Sequence, residues 1–276
     1  MNTRLISIEE LATSVLDGAS VALPRDSSGC ALEAVRALVR RGARNLKLIA
    51  VPQVGLQADL LIGAGCATSV EAAAVSLGEH GQAPRFRSAV SSGSIEMIDS
   101  TCPVIHAGFQ AAEKGIPFMP LRGIIGSDLV SHRADWKIVD NPFGDGDDPI
   151  LLLPAIRPDV ALFHASRADR DGNVWVGTSR ELSTMAHAAR LTFVTVEEIV
   201  EESLLADQAT ASGTLSGLYV SAIAEVKDGA WPVGLAGCYP PDHEHLRAYS
   251  RAARTADGFA EYLVEHVLVD QSAGAP

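Results

Sequence analysis

The chain has 276 residues, 47% hydrophobic and 20% charged, with 24 Gly and 14 Pro, the composition of a globular α/β protein and not of a disordered, collagenous or coiled-coil chain. Acidic residues outnumber basic ones 34 to 22, a formal net charge of -12, which repels phosphate backbones and acidic membrane surfaces and argues against nucleic acid as a partner. The four cysteines, Cys30, Cys66, Cys102 and Cys238, form no CxxC pair, so neither a zinc ribbon nor a compact disulfide framework is written here and a reducing compartment is expected.

In chain order, the first ten residues contain Glu9 and Glu10 and no apolar run ahead of a cleavage site, unlike a signal peptide. No window of about 18 apolar residues suits a bilayer crossing, so a soluble, cytoplasmic protein is expected. Ser7 and Glu10 have capping-box spacing, and Ile8, Leu11, Val15 and Leu16 follow at helical intervals up to Gly18. Residues 20–23 predict a buried strand, 25–29 a polar turn, Ala31 to Val39 a helix closed by Gly42, and 45–51 a second strand. That order is a βαβ unit. Further strands are predicted over 93–99, 116–121, 160–166 and 191–196, and helices over 103–114, 181–189 and 259–267. Together they predict an open, mostly parallel, doubly wound α/β sheet, covered by helices on both faces. Residues 140–149 read as a surface loop, and 271–276 as a flexible tail behind a single domain of residues 1–270.

Open parallel sheets bind ligands beyond the carboxyl ends of their strands, so polar residues placed after strands are the candidates. Ser27, Ser28 and Gly29 precede a helix whose free N–H groups can hold a carboxylate or phosphate, with plain capping as the alternative. In Leu61-Ile62-Gly63-Ala64-Gly65-Cys66, the glycines permit close approach of a ligand or a strand, while Cys66 has no basic neighbour in sequence and reads as a small hydrophobe. Asp99, with Ser100 and Thr101, ends a strand ahead of a helix opened by Pro103. Its carboxylate can attack an acyl carbon or orient water, or simply cap the helix. Arg122, Gly123, Gly126, Ser127 and Asp128 offer a guanidinium, a hydroxyl and backbone donors to an anionic ligand or an oxyanion; an Arg122–Asp128 ion pair is the competing reading. His243-Glu244-His245 lacks the i, i+4 spacing of two imidazoles on one helix face, and no metal site is predicted. GxSxG, Walker A and GxGxxG are absent, which removes support for nucleotide hydrolysis and dehydrogenation.

The run from Ala168 to Val174, continued through Met185-Ala186-His187-Ala188-Ala189-Arg190 to Thr195-Val196-Glu197-Glu198-Ile199-Val200, resembles the signature of family I coenzyme A transferases. Ile116 to Pro120 leading to Gly123, Gly126, Ser127 and Asp128 is similar to the substrate-side strand and loop of their α subunits, as is the run 61–66. Gly237, Tyr239, Asp242 and the final helix resemble the tail of glutaconate-type α subunits. The resemblance implies an α subunit that pairs with a β subunit, as a heterodimer or heterotetramer, in catabolic exchange of CoA between an acyl-CoA thioester and a carboxylic acid. It also implies that the catalytic glutamate comes from the β subunit, that coenzyme A is a substrate, and that no cofactor is permanently bound. In this reading Asp99 is the candidate catalytic residue of the chain, and Ser28, Gly65, Ser100, Arg122, Gly123, Gly126, Ser127 and Asp128 bind substrate. One branch of the family looks like ring-cleaving acyl-CoA hydrolases of steroid degradation, whose α-subunit Glu falls near 98–100, where this chain reads Ile-Asp-Ser. Hydrolysis is therefore the alternative activity. A non-catalytic ligand-binding subunit is a third reading, because fold does not fix function.

Overall fold

Strands that are apolar on both faces need helices on both sides. Ser20–Pro24, Leu46–Val51, Ala67–Ala72 and Val160–Asp169 occupy such positions in the structure, a computed structural model that describes residues 3–268. The tail predicted at 271–276 lies outside the described residues. The main sheet runs in the order Arg4–Leu5, Ala222–Glu225, Leu191–Val200, Val160–Asp169, Ser20–Pro24, Leu46–Val51, Ala67–Ala72, Glu96–Asp99, and every neighbouring pair is parallel. From Ser20–Pro24 the chain steps outward to the edge at Glu96–Asp99. It then returns to lay Val160–Asp169 along the other side of Ser20–Pro24, and steps outward again. The strand order thus reverses between these two strands, and at such a reversal a crevice opens beyond the carboxyl ends.

Alternating side chains feed two cores. Val21, Leu23 and Leu162 pack beneath the helices Ile8–Ser14, Leu32–Arg40, Leu56–Gly63, His243–Ala252 and Ala256–His266. Ala22, Ala161 and Phe163 pack against Ile105 and Phe109 of Cys102–Glu113 and Leu182 and Met185 of Arg180–Ala188. The predicted capping box is present, with the Ser7 Oγ accepting the Glu10 N–H and the Glu10 carboxylate accepting the Ser7 N–H, both at 3.1 Å. Between helices, Asp59 accepts from the Tyr249 hydroxyl at 2.6 Å and the Phe86 N–H at 2.7 Å. Burial pushes its carboxyl up to about 6 against the lowering effect of those bonds.

Two predicted segments fold differently. The strand expected at 116–121 is Phe118–Leu121, and it belongs to a separate antiparallel sheet with Pro149–Pro154 and Lys137–Asp140. That small sheet rests through Leu151 and Leu153, with Trp136 just ahead of its strand Lys137–Asp140, on Val104 and Ala107 of the helix Cys102–Glu113. The run 61–66 is the end of the helix Leu56–Gly63 and not a post-strand loop. Every residue from Leu56 to Ile62 is buried, Gln57 and Asp59 included, so this helix has no solvent-facing polar stripe to reveal its period. Among the described residues no helix is long and apolar enough to cross a membrane.

Candidate active site at the carboxyl ends of the sheet

At the strand reversal the Gly29 carbonyl accepts the His164 N–H at 2.7 Å. Gly29 has a φ of +87°, and a Cβ there would overlap the His164 carbonyl, so only glycine lets the turn after Ser20–Pro24 close against Val160–Asp169. Asp26, in the same turn, accepts the N–H groups of Gly55 and Leu56 at 3.2 and 2.7 Å and so fixes the start of the helix Leu56–Gly63. Burial raises its pKa to about 6. Ser28 is buried with its Oγ 3.3 Å from the Arg25 guanidinium, while Ser27 faces a cleft of about 360 Å³.

Beside this turn lies a network that starts with an odd residue in an apolar strand. His164 is fully buried, and a buried imidazole needs partners for both nitrogens. Its Nδ1 is 2.8 Å from the Thr195 Oγ1, and its Nε2 is 2.8 Å from Glu197 Oε1. Thr195 is the register partner of His164 across the sheet, and Glu197, two residues on, projects from the same face. Glu197 also accepts the Tyr239 hydroxyl at 2.8 Å, the Asp228 N–H at 2.8 Å and the Gly229 N–H at 3.1 Å. Burial pushes its pKa up, but the bonds from His164, Tyr239 and Asp228 more than offset this and hold it down at about 2. Tyr239 accepts the Ala230 N–H at 2.9 Å, so this carboxylate fastens the loop after Ala222–Glu225 to the sheet.

At the far edge, Asp99 ends its strand exposed, and its carboxylate makes no hydrogen bond or ion pair with the described residues. Its carbonyl accepts from Arg133 at 3.0 Å, and the same guanidinium reaches the Glu71 carboxylate at 2.9 Å and Asp135 at 2.9 Å and lies over the Trp136 ring. Burial pushes Glu71 up, against the Arg133 charge. Arg133 thereby ties the end of the segment that follows Asp128 to the strand ends at 71 and 99. Next to Asp99, the buried Ser100 Oγ and Thr101 Oγ1 have no partner among the described residues, at the N-terminus of the helix Cys102–Glu113. Unpaired hydroxyls and free helix N–H groups together form a receptive place for an anionic or carbonyl oxygen.

The predicted residues therefore divide. Asp99 and Ser100 lie together at the sheet's carboxyl edge, and Ser28 is buried beneath the cleft that its neighbour Ser27 faces. Gly65 sits at the amino end of Ala67–Ala72, where it terminates the preceding helix with φ +71° and its N–H on the Ile62 carbonyl. Gly123, Gly126, Ser127 and Asp128 are exposed on the loop that leaves the small sheet, with the Ser127 Oγ turned back to the Ile124 carbonyl. Arg122 pairs with Asp148 at 2.7 Å and not with Asp128. Capping is also corrected: Ala31 and Thr101, not Ser28 or Asp99, hold the N-cap positions of the two helices. Cys66 is buried and its thiol is pushed up to about 11 by burial, as a small hydrophobe. His243 and His245 face different surroundings, His245 bonding the Tyr262 hydroxyl at 2.8 Å and His243 lying 2.9 Å from Glu79.

Sequence reasoning missed His164, Glu197 and Arg133. The signal for the first two was a histidine inside the apolar run Val160 to Ala165, which demands a polar partner, and the i, i+2 pair Thr195 and Glu197 on a neighbouring strand. Arg133 carried no sequence signal. The run 168–174 is structural: the Asp169 carboxylate accepts the N–H groups of Asp171 and Asn173 and the Asn173 amide, closing the turn.

The coenzyme A transferase family model matches residues 5–228. The chain is 31% identical to the A-type chain of the 3-oxoadipate CoA-transferase of Pseudomonas knackmussii, over 94% of this chain and 91% of that protein. It is 30% identical to the cholesterol ring-cleaving hydrolase IpdA subunit of Mycobacterium tuberculosis, over 83% and 80%. An uncharacterized protein of Archaeoglobus fulgidus is 32% identical over 83% of the chain, which spans only 51% of that protein's length. Among solved structures, glutaconate coenzyme A-transferase from Acidaminococcus fermentans superposes with a TM-score of 0.91 at 25% identity, over 98% of this chain and 90% of that one. The strand reversal, the crevice and these matches agree, and the chain belongs to the coenzyme A transferase family.

Proposed function

We propose that residues 1–270 act as the α subunit of a heteromeric, cytoplasmic coenzyme A transferase that moves CoA between an acyl-CoA thioester and a carboxylic acid, with the nucleophilic glutamate supplied by a β-type partner. The observation that carries this reading is the state of Glu197. A carboxylate has about four acceptor positions, and Glu197 meets four donors. With its pKa held at about 2, it is a weak nucleophile and a weak base at neutral pH. Glu197 thus serves as an anchor and not as the nucleophile, which fits a covalent step carried by a partner's carboxylate and leaves Asp99 as the uncommitted carboxylate of this chain. This chain contributes the facing wall. Ser28 supports the turn whose Ser27 faces the cleft, the Ser100 hydroxyl and the N-terminus of Cys102–Glu113 receive a substrate oxygen, and Arg122, Gly123, Gly126, Ser127 and Asp128 form the outer lip. Coenzyme A is a substrate in this scheme, not a resident cofactor.

Co-expression with a β-type subunit tests the reading. The pair is expected to exchange CoA between an acyl-CoA and a free acid, and neither chain alone to do so; exchange by the isolated chain overturns the proposal. A second reading is hydrolytic opening of a cyclic acyl-CoA. It is favoured by one feature, the unpartnered Asp99 carboxylate beside the orphan Ser100 hydroxyl, which can orient water. Product analysis separates the two, because hydrolysis needs no acceptor acid and keeps CoA on the opened product. Unchanged activity of the complex after Asp99→Asn with Arg122→Ala would instead mark this chain as a scaffold.

A further inference from the structure

Away from the strand edge holding Asp99, three side chains that no part of the transfer scheme uses converge on one point. Glu79 and His80 lie in the short turn Gly78–His80, and His243 opens the helix His243–Ala252. His243 Nδ1 is 2.9 Å from Glu79 Oε1 and 3.2 Å from His80 Nε2, and the third separation, His80 Nε2 to Glu79 Oε1, is 3.7 Å. Zinc bonds of about 2.0–2.1 Å in tetrahedral geometry put neighbouring ligand atoms roughly 3.3 Å apart. The three measured separations scatter around that edge length.

The protonation arithmetic points the same way. Nδ1 of a neutral imidazole carries either one proton or one lone pair. As a donor it must share its single proton between Glu79 and His80. As an acceptor it sets its lone pair against a carboxylate oxygen. A cation at the common point satisfies all three lone pairs together.

The surroundings suit a ligand set as well. His80 is held, with its side chain 6% exposed and its carbonyl accepting the Ser250 Oγ at 3.0 Å. His243 and Glu79 are 46% and 70% exposed, so an ion can enter. All three line the cleft of about 360 Å³ that also contains Arg25, Ser27 and Gln53, which leaves a fourth position open toward the turn at the strand reversal.

We propose that Glu79, His80 and His243 bind one divalent cation of the zinc type, with a water in the fourth position. Two imidazoles and a carboxylate are borderline ligands that suit zinc and disfavour magnesium or calcium. The ion would staple the turn Gly78–His80 to the helix His243–Ala252. Both elements border the cleft beside Ser27, and the staple is independent of which acyl reaction the protein performs.

Tag-free protein, stripped with a chelator, is titrated with Zn²⁺ by calorimetry and with Co²⁺ by visible absorption. A single ion per chain is expected, with the d–d bands of tetrahedral cobalt and a higher melting temperature in the presence of Zn²⁺. Glu79→Gln and His243→Asn, both at exposed side chains, should each weaken binding by at least about tenfold and remove the zinc-dependent rise in melting temperature. Their circular dichroism should match the parent. Absence of stoichiometric binding overturns the proposal, and so does binding of unchanged affinity in the Glu79→Gln, His243→Asn double variant.

Discussion

Glu197 and Asp99 are both carboxylates near the carboxyl ends of parallel strands, and their surroundings give them opposite uses. Glu197 has a side chain 13% exposed and is held by an imidazole, a phenol and a backbone N–H on Oε1 and by a second backbone N–H on Oε2. Among the described residues Asp99 is exposed, unpartnered and next to two hydroxyls that lack partners. The first has its bonding capacity committed within the fold, and the second has capacity left for a ligand. The contrast shows that position at a strand end does not make a residue reactive; unspent hydrogen-bonding capacity does. The family signature 195–200 contains the committed carboxylate, whereas Asp99 lies outside it.

Removing Glu197 should have the largest effect. Glu197→Ala leaves the buried His164 Nε2 without its partner, with only the Nδ1 bond to Thr195 retained, and should cost about 3–5 kcal/mol of stability, measured by urea unfolding. The pH profile fixes the sign. Because its folded pKa of about 2 lies below the ordinary 4.5, Glu197 stabilises the fold above pH 4.5, and that contribution is lost as pH falls toward 2. Asp59 behaves in reverse. Its pKa is raised from 3.8 to about 6, so its contribution is present below pH 3.8 and lost as pH rises through 6. Glu197→Gln should flatten the acid limb of the stability profile, and Asp59→Asn the limb between pH 4 and 6. A Glu197→Gln variant with unaltered stability but no CoA exchange would make Glu197 a reacting group and break the comparison.

Next in size is Gly29→Ala, in which a positive φ and an overlap with the His164 carbonyl should together cost about 2–3 kcal/mol. Gly65→Ala is the control at the opposite end of the sheet. Its φ is also positive, but nothing lies within 4 Å of the added Cβ, so the cost should be about 1 kcal/mol with KM unchanged. A raised KM in Gly65→Ala would place a ligand where the structure has only a helix terminus. Ser100→Ala should then leave the melting temperature unaltered, because the hydroxyl has no protein partner, and raise KM about tenfold, or about 1.4 kcal/mol of binding.

Elements with strong local signals were legible in the sequence. The capping box at Ser7 and the βαβ unit from Ser20 to Val51 form where expected, because their periodicity and turn residues agree. The sheet's reversal, and with it the crevice, followed only from topology, which no local pattern encodes. The helix Leu56–Gly63 was hidden because it is buried on every side, Gln57 and Asp59 included, and the antiparallel sheet of Phe118–Leu121, Lys137–Asp140 and Pro149–Pro154 by register pairing across a long loop. Asp99 and Ser100 were legible because a polar pair between a strand and a proline-led helix is a local pattern. The bond from His164 to Glu197 spans 33 residues, so each half was visible only as a charge or an imidazole without a partner.

Arg122 offers the smallest and sharpest test of how far the receptive edge extends. Its guanidinium is 62% exposed and holds Asp148 at 2.7 Å, while Asp148 also accepts the Asn141 amide at 2.7 Å. A surface pair of this kind contributes about 0.5 kcal/mol or less to stability, so Arg122→Ala should leave the melting temperature almost unchanged. For substrate, the pair is neutral until Asp148 lets go. Asp148→Asn should therefore release Arg122 and lower KM for an acidic substrate about twofold, Arg122→Ala should raise it about twofold, and the double variant should match Arg122→Ala alone. Both shifts should shrink at high salt, because the charges are exposed. If KM in Asp148→Asn stays at the parent value at low and high salt alike, the loop 122–128 lies outside the pocket, and the receptive edge ends at Asp99 and Ser100.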